Sequence, residues 1–442
     1  QPREDDTICD KCHGLHLSCI LGHDVTIDDM KHFQEHSASH FDLGYIYRPS
    51  HLLCRMCSFL RDCLSIEHLQ LNDNPSKPKL VRSSASEFFG VRNRKEFLNA
   101  PCLVFAPKKE DGQGCILPAA SSSHRQGTIV GRKLEPDKIG YSIFSHWLSF
   151  CKERHEKICE RPRGANDTRS FSLKVIDCAT RKILSLPLGG KEDYVTLSYV
   201  WGLSTDTSGN KEDSTELPES VPKVIEDAMI VVMQLGLRFL WVDRYCIPQE
   251  DDKEKHSQLR NMGTIYSNSV LTIIAAAGEG PDHGLPGVSS TLRLPQPSIR
   301  WGSDELVYCL SRGGRREIQS SKWNSRGWTY QEGLLARRRL IFTERQVYFQ
   351  CQAMHQNESI TTQLDSVRVK NVFPLSIDFG FYFPTFQDLQ RSPTSFQSRV
   401  QEFIRREFTF DSDVLAAFQG ILALFETSKA PISHLCGIPL FS

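Results

Sequence analysis

The chain has 442 residues, room for two or three domains, and its 39% hydrophobic and 10% aromatic content is that of an ordinary globular protein. Lys+Arg and Asp+Glu are equal at 53 each, so no net basic field invites nucleic acid and there is no acidic tail. The longest apolar run, Val270 to Ala277, is strand-sized and far short of a bilayer-spanning helix.

The opening Gln1-Pro2-Arg3-Glu4-Asp5-Asp6 is polar, has no initiator Met and is no signal peptide, so the chain reads as a fragment. The 15 cysteines are scattered and odd in number, which predicts reduced thiols rather than a disulfide framework. Residues 1 to about 70 are rich in Cys and His. Cys9-x-x-Cys12 and Cys54-x-x-Cys57 are two metal-type pairs, with His13, His16, Cys19, His23, His51 and Cys63 nearby. Each CxxC is a turn that converges two thiolates, and two turns complete a tetrahedron, so these four cysteines are candidate ligands of a structural zinc; free thiols are the competing reading. Ser, Lys, Asn and Pro then dominate from Asn72 to Ser86, and an apolar run, Cys102 to Ala106, precedes a loop at Ala119 to Gly127.

Tyr141 to Glu160 predicts a helix with Trp147, Leu148 and Cys151 on one face, followed by a linker at residues 161–167. Phe171 to Asp177 alternates as a strand, and Ile183 to Leu186 is its expected partner. Tyr194 to Val200 is a strand ended by Trp201-Gly202, with a polar loop from Ser204 to Glu216. Pro222 opens a helix that Gly236 stops. A short buried strand, Arg238 to Asp243, a helix, Asp251 to Ser267, and the apolar run Val270 to Ala277 come next. A Gly/Pro-rich insertion covers Gly278 to Ser320. A helix carrying Trp328 leads to strands at Leu340 to Thr343 and Gln346 to Cys351, and two further helices are expected at Phe396 to Arg406 and Val414 to Phe425. Strands alternating with helices predict an α/β fold, a parallel sheet with helices on both faces.

Four blocks in this order resemble the fungal heterokaryon-incompatibility (HET) domain: Tyr194-Val195-Thr196-Leu197-Ser198-Tyr199-Val200-Trp201-Gly202, Leu240-Trp241-Val242-Asp243-Arg244-Tyr245-Cys246-Ile247-Pro248-Gln249, Met262-Gly263-Thr264-Ile265-Tyr266-Ser267 and Arg326-Gly327-Trp328-Thr329-Tyr330-Gln331-Glu332. The Leu53-Cys54-Arg55-Met56-Cys57 segment is similar to a Cys pair found ahead of such domains. The resemblance covers a HET domain at 166–360, which leaves a Cys/His-rich N-terminal region at 1–165 and a helical C-terminal segment at 361–442, expected to be truncated because it ends at Gly437-Ile438-Pro439-Leu440 inside what reads as continuing structure. It implies a fungal, cytoplasmic protein of non-self recognition or programmed cell death, partnered by further copies of itself or by a non-self-recognition protein. HET domains are in turn remotely similar to TIR domains, which implies a flavodoxin-like sheet. Catalytic TIR domains cleave NAD with a Glu four residues after a Trp, the spacing of Trp328 and Glu332. Gln331, and the lack of a Cys after the Trp, depart from the usual TIR pattern.

Glu332 is therefore the candidate catalytic residue, able to stabilise an oxocarbenium-like ribose; the plain reading is a solvated carboxylate near a helix N-terminus. On a helix Trp328 and Glu332 would share one wall. Tyr199, Trp201, Gly202, Asp243 and Trp328 are the candidate NAD-binding residues, because ligands of open parallel sheets bind beyond the carboxyl ends of the strands. The plain readings are core packing for Trp201, a turn cap for Asp243 and a positive φ or close backbone approach for Gly202. Cys246 with His256 or His283 would suit a thiol hydrolase, but apolar neighbours favour a buried inert thiol. Arg337-Arg338-Arg339 either compensates a helix C-terminus, approaches a phosphate or forms a solvated face, the last being preferred. A module without catalysis, acting by self-assembly, is the alternative function; a zinc-dependent nucleic-acid binder is disfavoured by the neutral charge.

Overall fold

The computed structural model describes residues 7–13, 15, 40–66, 79–84, 101–106, 114–120, 129–160, 172–187, 192–202, 215–248, 252–301, 304–310, 313–361, 382–389, 393–427, 431–435 and 438–440. His16, Cys19, His23 and most of the predicted Ser204–Glu216 loop lie outside them, as do the 72–78 stretch and the 161–167 linker. The chain forms two compact units that interleave in sequence, residues 1–134, 294–316 and 357–380, and residues 135–293, 317–356 and 381–442.

The first unit is built on a six-stranded antiparallel sheet in the order His40–Asp42, Lys79–Ser84, Pro101–Ala106, Gly114–Pro118, Asp304–Leu310, Ser298–Trp301. Side chains alternate across a strand, and here both faces are covered. Leu103, Phe105, Ile116, Tyr308 and Leu310 pack into one cluster with Met56, Phe59, Leu60 and Leu64 of the helix Arg55–Ile66. Cys102, Val104, Cys115, Leu117, Val307 and Cys309 face the other way, into a second cluster with Ile129 and Ile360. The described part of the first seventy residues, which carry no strong core pattern in sequence, thus packs into a core shared with this sheet. The Gly/Pro-rich insertion supplies two of its strands.

The second unit holds an eight-stranded mixed sheet. Its centre is four parallel strands in the order Arg338–Phe342, Leu271–Ala275, Tyr194–Ser198, Phe239–Trp241. Leu271–Ala275 and Tyr194–Ser198 are buried at every position, as two-sided strands require. Antiparallel strands extend both sides: Ser172–Asp177 and Lys182–Pro187 beyond Phe239–Trp241, and Val347–Cys351 beyond Arg338–Phe342. The expectation of a parallel sheet is corrected to this extent: the parallel part is a core of four, and most strand pairings in the protein are antiparallel. A hairpin such as Ser172–Pro187 needs only a short turn, whereas each parallel step needs a crossover.

The predicted helices form at Tyr141–Arg154, Lys223–Gln234, Asp252–Asn268, Gly327–Leu335, Pro393–Phe403 and Ala416–Glu426. Gly236 ends the second of these at φ +72°. Phe396, Phe403, Phe418 and Phe425 share one cluster with Tyr330 and Leu334, so the C-terminal segment packs on the Trp328-bearing helix. Gln331 Oε1 accepts the Gly420 backbone N–H at 2.7 Å. No helix among the described residues is long and apolar enough to cross a membrane.

The Asp252–Asn268 and Ala416–Glu426 helices touch through glycine: a Cβ on Gly263 would lie 3.0 Å from the Gly420 Cα and 2.9 Å from Leu335 Cδ1. Backbone cannot yield as a flexible side chain can. Gly263→Val should therefore lower stability by about 1–3 kcal/mol through overpacking, read as a lower denaturation midpoint. An unchanged midpoint would mean the helices separate freely at this crossing.

Candidate functional site

The Tyr194–Ser198 strand ends at Ser198, and the Phe239–Trp241 strand runs parallel beside it into Val242 and Asp243. The carboxyl ends of the two strands therefore deliver Ser198, Tyr199, Trp201 and Asp243 to one place. Glu332 arrives from the helix Gly327–Leu335, whose residues are nearly all buried. The side chain is 4% exposed, so the solvated-carboxylate reading is corrected: the helix lies under the C-terminal aromatic cluster rather than on the surface.

A buried carboxyl needs partners. Ser198 Oγ donates to Glu332 Oε2 at 2.5 Å and accepts from Trp323 Nε1 at 2.7 Å. Ser198 and Trp323 are fully buried. The Tyr266 hydroxyl adjoins the same carboxyl and donates to the Leu197 carbonyl at 3.1 Å. Asp243 is half-buried and starts the short helix Asp243–Cys246. Its Oδ1 accepts the Arg244 N–H at 2.7 Å, the turn-capping role expected of it, and its Oδ2 accepts Trp201 Nε1 at 2.8 Å.

Burial raises the pKa of Glu332, and the nearby Asp243 charge raises it further; the Ser198 and Tyr266 bonds and the Arg326 charge oppose the rise. Asp243 is also raised, by burial, against the pull of Trp201, the Arg244 N–H, Arg326 and Arg244. Two carboxyls that repel each other and share one cation favour holding a proton between them. Tyr199 is 4% exposed, its hydroxyl is buried without a hydrogen-bond partner among the described residues, and Asp243 and Glu332 both act on it.

Gly202 has φ +81°, and a Cβ there would meet Pro281 Cδ at 2.8 Å, so both reasons for a glycine apply. Trp328 is engaged elsewhere: its indole Nε1 donates to Asp413 Oδ2 at 3.1 Å, and the ring packs on the C-terminal cluster. The shared wall of Trp328 and Glu332 is not what forms; Trp201, Tyr199 and Tyr266 are aromatic groups associated with the carboxyls. Cys246 is fully buried, its Sγ accepts the Val242 N–H at 3.4 Å, and burial pushes the thiol up to about 12, a structural thiol rather than a nucleophile. The arginine run is not a solvated face. Arg339 is fully buried and donates to the Gly333 and Leu334 carbonyls at 2.5 and 2.9 Å, compensating the end of the Glu332 helix. Ser198, Tyr266, Trp323 and Arg326 were given no role in the sequence analysis. Three of them stand inside the four quoted blocks, which was the available signal.

The four N-terminal cysteines converge in the first unit. Their sulfurs lie within 4.8 Å of one another, with Cys9 Sγ 3.8 Å and Cys12 Sγ 3.5 Å from Cys57 Sγ. The Cys9 and Cys57 N–H groups donate to Cys54 Sγ at 3.4 and 3.5 Å. This set could hold a metal ion; neither His13 nor Cys63 belongs to it. Among the described residues every cysteine is a free thiol.

The raised Glu332 carboxyl makes stability depend on pH with a definite sign. Between the ordinary carboxylate range and its higher folded value, the folded chain keeps a proton the unfolded chain has lost. Stability therefore falls as pH rises through that window and levels off above it. Glu332→Gln keeps an acceptor for Ser198 and removes the titration. Its Tm should gain on wild type as pH goes from about 5 to about 9; a constant difference would show that Glu332 is not shifted.

Residues 194–332 match the family model described as Heterokaryon incompatibility protein (HET). The chain is also similar to Heterokaryon incompatibility protein 6, OR allele, of Neurospora crassa, at 29% identity over 104 residues. That match takes in 21% of this chain and only 15% of the relative's length. No solved structure matches. The matched span runs from the first residue of the Tyr194–Ser198 strand to Glu332 and so contains every residue of the carboxyl site, and the chain carries a heterokaryon-incompatibility (HET) domain.

Proposed function

We propose that this chain is a fungal non-self-response effector, acting in the cytoplasm, whose HET domain at 166–360 hydrolyses NAD at the Glu332–Asp243 site. The observation that carries the reading is the carboxyl pair itself: two acids with raised proton affinity, beside the Trp201 indole and the unpartnered Tyr199 hydroxyl, at the carboxyl ends of adjacent parallel strands. The order of the four parallel strands, second-first-third-fourth in sequence, also supports a flavodoxin-like and hence TIR-like reading.

The chemistry follows from charge. The nicotinamide ring of NAD is a cation, and its approach would lower the pKa of both carboxyls and draw off the proton they hold. The ionised Glu332 would then face the ribose as the bond to nicotinamide breaks and the sugar gains oxocarbenium character. Nicotinamide leaves as a neutral base with the bonding electrons. Water adds to the ribose carbon and releases a proton, which the second carboxylate can take. Trp201 offers a face for the base, Gly202 allows close backbone approach, and Arg326, whose charge acts on both acids, is the cation available to a phosphate. Trp328 would act at a distance, by fixing the helix that bears Glu332.

A second reading is favoured by one observation: Glu332 is 4% exposed and already bonded through Ser198 to Trp323. In that reading the site is structural and the module signals by self-assembly or by docking a non-self-recognition protein. Incubation of the purified chain with NAD separates the two. We expect free nicotinamide from wild type and a loss of about 100-fold or more in Glu332→Gln, with the fold retained. Full toxicity on expression of Glu332→Gln, with no nicotinamide from either protein, would sink hydrolysis and favour assembly.

Cys9, Cys12, Cys54 and Cys57 are proposed to hold one structural zinc. Four cysteines, three of them buried, leave no open position, and backbone N–H bonds to Cys54 Sγ are the support metal-bound thiolates need. Cys54→Ser should lose about one equivalent of zinc and lower the denaturation midpoint. Zinc content equal to wild type in that variant would refute the site.

A further inference from the structure

We propose that Cys151, His155, Cys159 and Cys351 form a second, buried zinc site in the second unit, one that pins a helix to a sheet strand. It is independent of the NAD reading and of the N-terminal cysteines.

The helix Tyr141–Arg154 ends at His155, and the turn Glu156–Cys159 carries it on. The His155 N–H donates to the Cys151 carbonyl at 3.0 Å and the Cys159 N–H to the His155 carbonyl at 2.7 Å. Helical bonding therefore continues through the step, and residues at i, i+4 and i+8 present side chains to one face. Cys351 closes the set from the end of the Val347–Cys351 strand, 196 positions from His155. The four ligand atoms lie within 4.8 Å of one another, with Cys351 Sγ 3.4 Å from His155 Nδ1. Tetrahedral zinc, with bonds of about 2.3 Å to sulfur and about 2.0 Å to nitrogen, sets ligand atoms about 3.5–3.8 Å apart. A small contraction of the set reaches that geometry.

Charge supplies a second, separate argument. Arg338 is 6% exposed, and its Nε lies 3.1 Å from Cys151 Sγ. Its other bond is to the Val270 carbonyl at 3.5 Å, and no carboxylate forms an ion pair with it among the described residues. Against four neutral ligands, this guanidinium would be a buried cation with no counter-ion. Three thiolates, one neutral imidazole and Zn²⁺ carry one negative charge and balance it. The Ala353 N–H, 3.4 Å from Cys351 Sγ, adds a donor to a second sulfur. The cysteines are fully buried and His155 nearly so, and a closed set of four ligands is structural rather than catalytic. Trp147 already packs on Phe349 at 6.1 Å between ring centroids, so the metal would lock a contact that apolar packing begins.

The test is zinc stoichiometry of the full chain, purified without chelator and measured by mass spectrometry of the metal. Cys54→Ser removes the N-terminal set, and the zinc that remains reports on this site. We expect about one equivalent to remain in Cys54→Ser and none in Cys54→Ser combined with His155→Ala. His155→Cys in the Cys54→Ser background should keep the metal, because a thiolate replaces the imidazole as a ligand. Where His155→Ala fails to fold, cobalt-loaded Cys54→Ser should still show intense sulfur-to-cobalt charge-transfer absorption. No metal in Cys54→Ser, or the same metal content with and without His155→Ala, overturns the inference.

Discussion

The placement of Glu332 inside the second unit is the constraint around which its surroundings are arranged. A carboxyl removed from water must be hydrogen-bonded or protonated, and here both measures are in use. Ser198 is at the end of a fully buried strand, with its hydroxyl oriented by the Trp323 indole. Tyr266 is held by its own bond to Leu197 and by the edge of Trp241 at 5.5 Å. The helix that carries Glu332 is fixed at its far end by Arg339, whose guanidinium also lies 4.5 Å over the Phe383 ring. Apolar substitutes at these positions would pack, but none could satisfy an acid.

Most of the second unit was legible because its elements repeat simple patterns. The Tyr194 and Val270 strands are continuous apolar runs, and the Lys223 helix carries apolar residues at helical spacing between Pro222 and Gly236. Periodicity states whether a strand is buried on both faces but not which strand lies beside it. The Ser172–Pro187 hairpin was expected, but its antiparallel docking beside Phe239–Trp241 and that of Val347–Cys351 beside Arg338–Phe342 went unseen, since pairing direction depends on connections rather than on the strand's own residues. The Glu332 site was half legible. Asp243 and Trp201 were placed correctly at strand ends, and the structure joins them by one hydrogen bond. The error over Trp328 has a physical cause: i, i+4 spacing fixes only relative azimuth on one helix, and it does not tell which partner each side chain meets. Trp328 met Asp413, and Glu332 met Ser198.

Cysteine was legible at short range only. Two CxxC turns announce themselves, and their union in the first unit was foreseeable although the two pairs lie far apart in sequence. The Cys151, His155 and Cys159 spacing is just as regular, but it is the spacing of a helix face, where small and apolar residues are also expected. Its fourth member lies on a distant strand, and only the fold reveals it. The arginine run shows the converse. Three consecutive charges look solvated, yet in a strand alternate residues face opposite layers, and Arg338 and Arg339 each enter a different buried environment.

The threading of the first unit has a consequence for biosynthesis. Its sheet needs Asp304–Leu310 between Gly114–Pro118 and Ser298–Trp301, and the Val130–Gly131 strand pairs with Ile360–Thr361. The first pairing cannot be in place until the ribosome has passed residue 310, by which time three of the four central parallel strands of the second unit have been made, and the second not until residue 361, by which time all four have. The N-terminal sheet must therefore wait, open-edged at Gly114–Pro118, while its neighbour in sequence begins to fold. Maturation is interleaved rather than sequential, and the Gly114–Pro118 edge stays without its Asp304–Leu310 partner from the synthesis of residue 134 to that of residue 310.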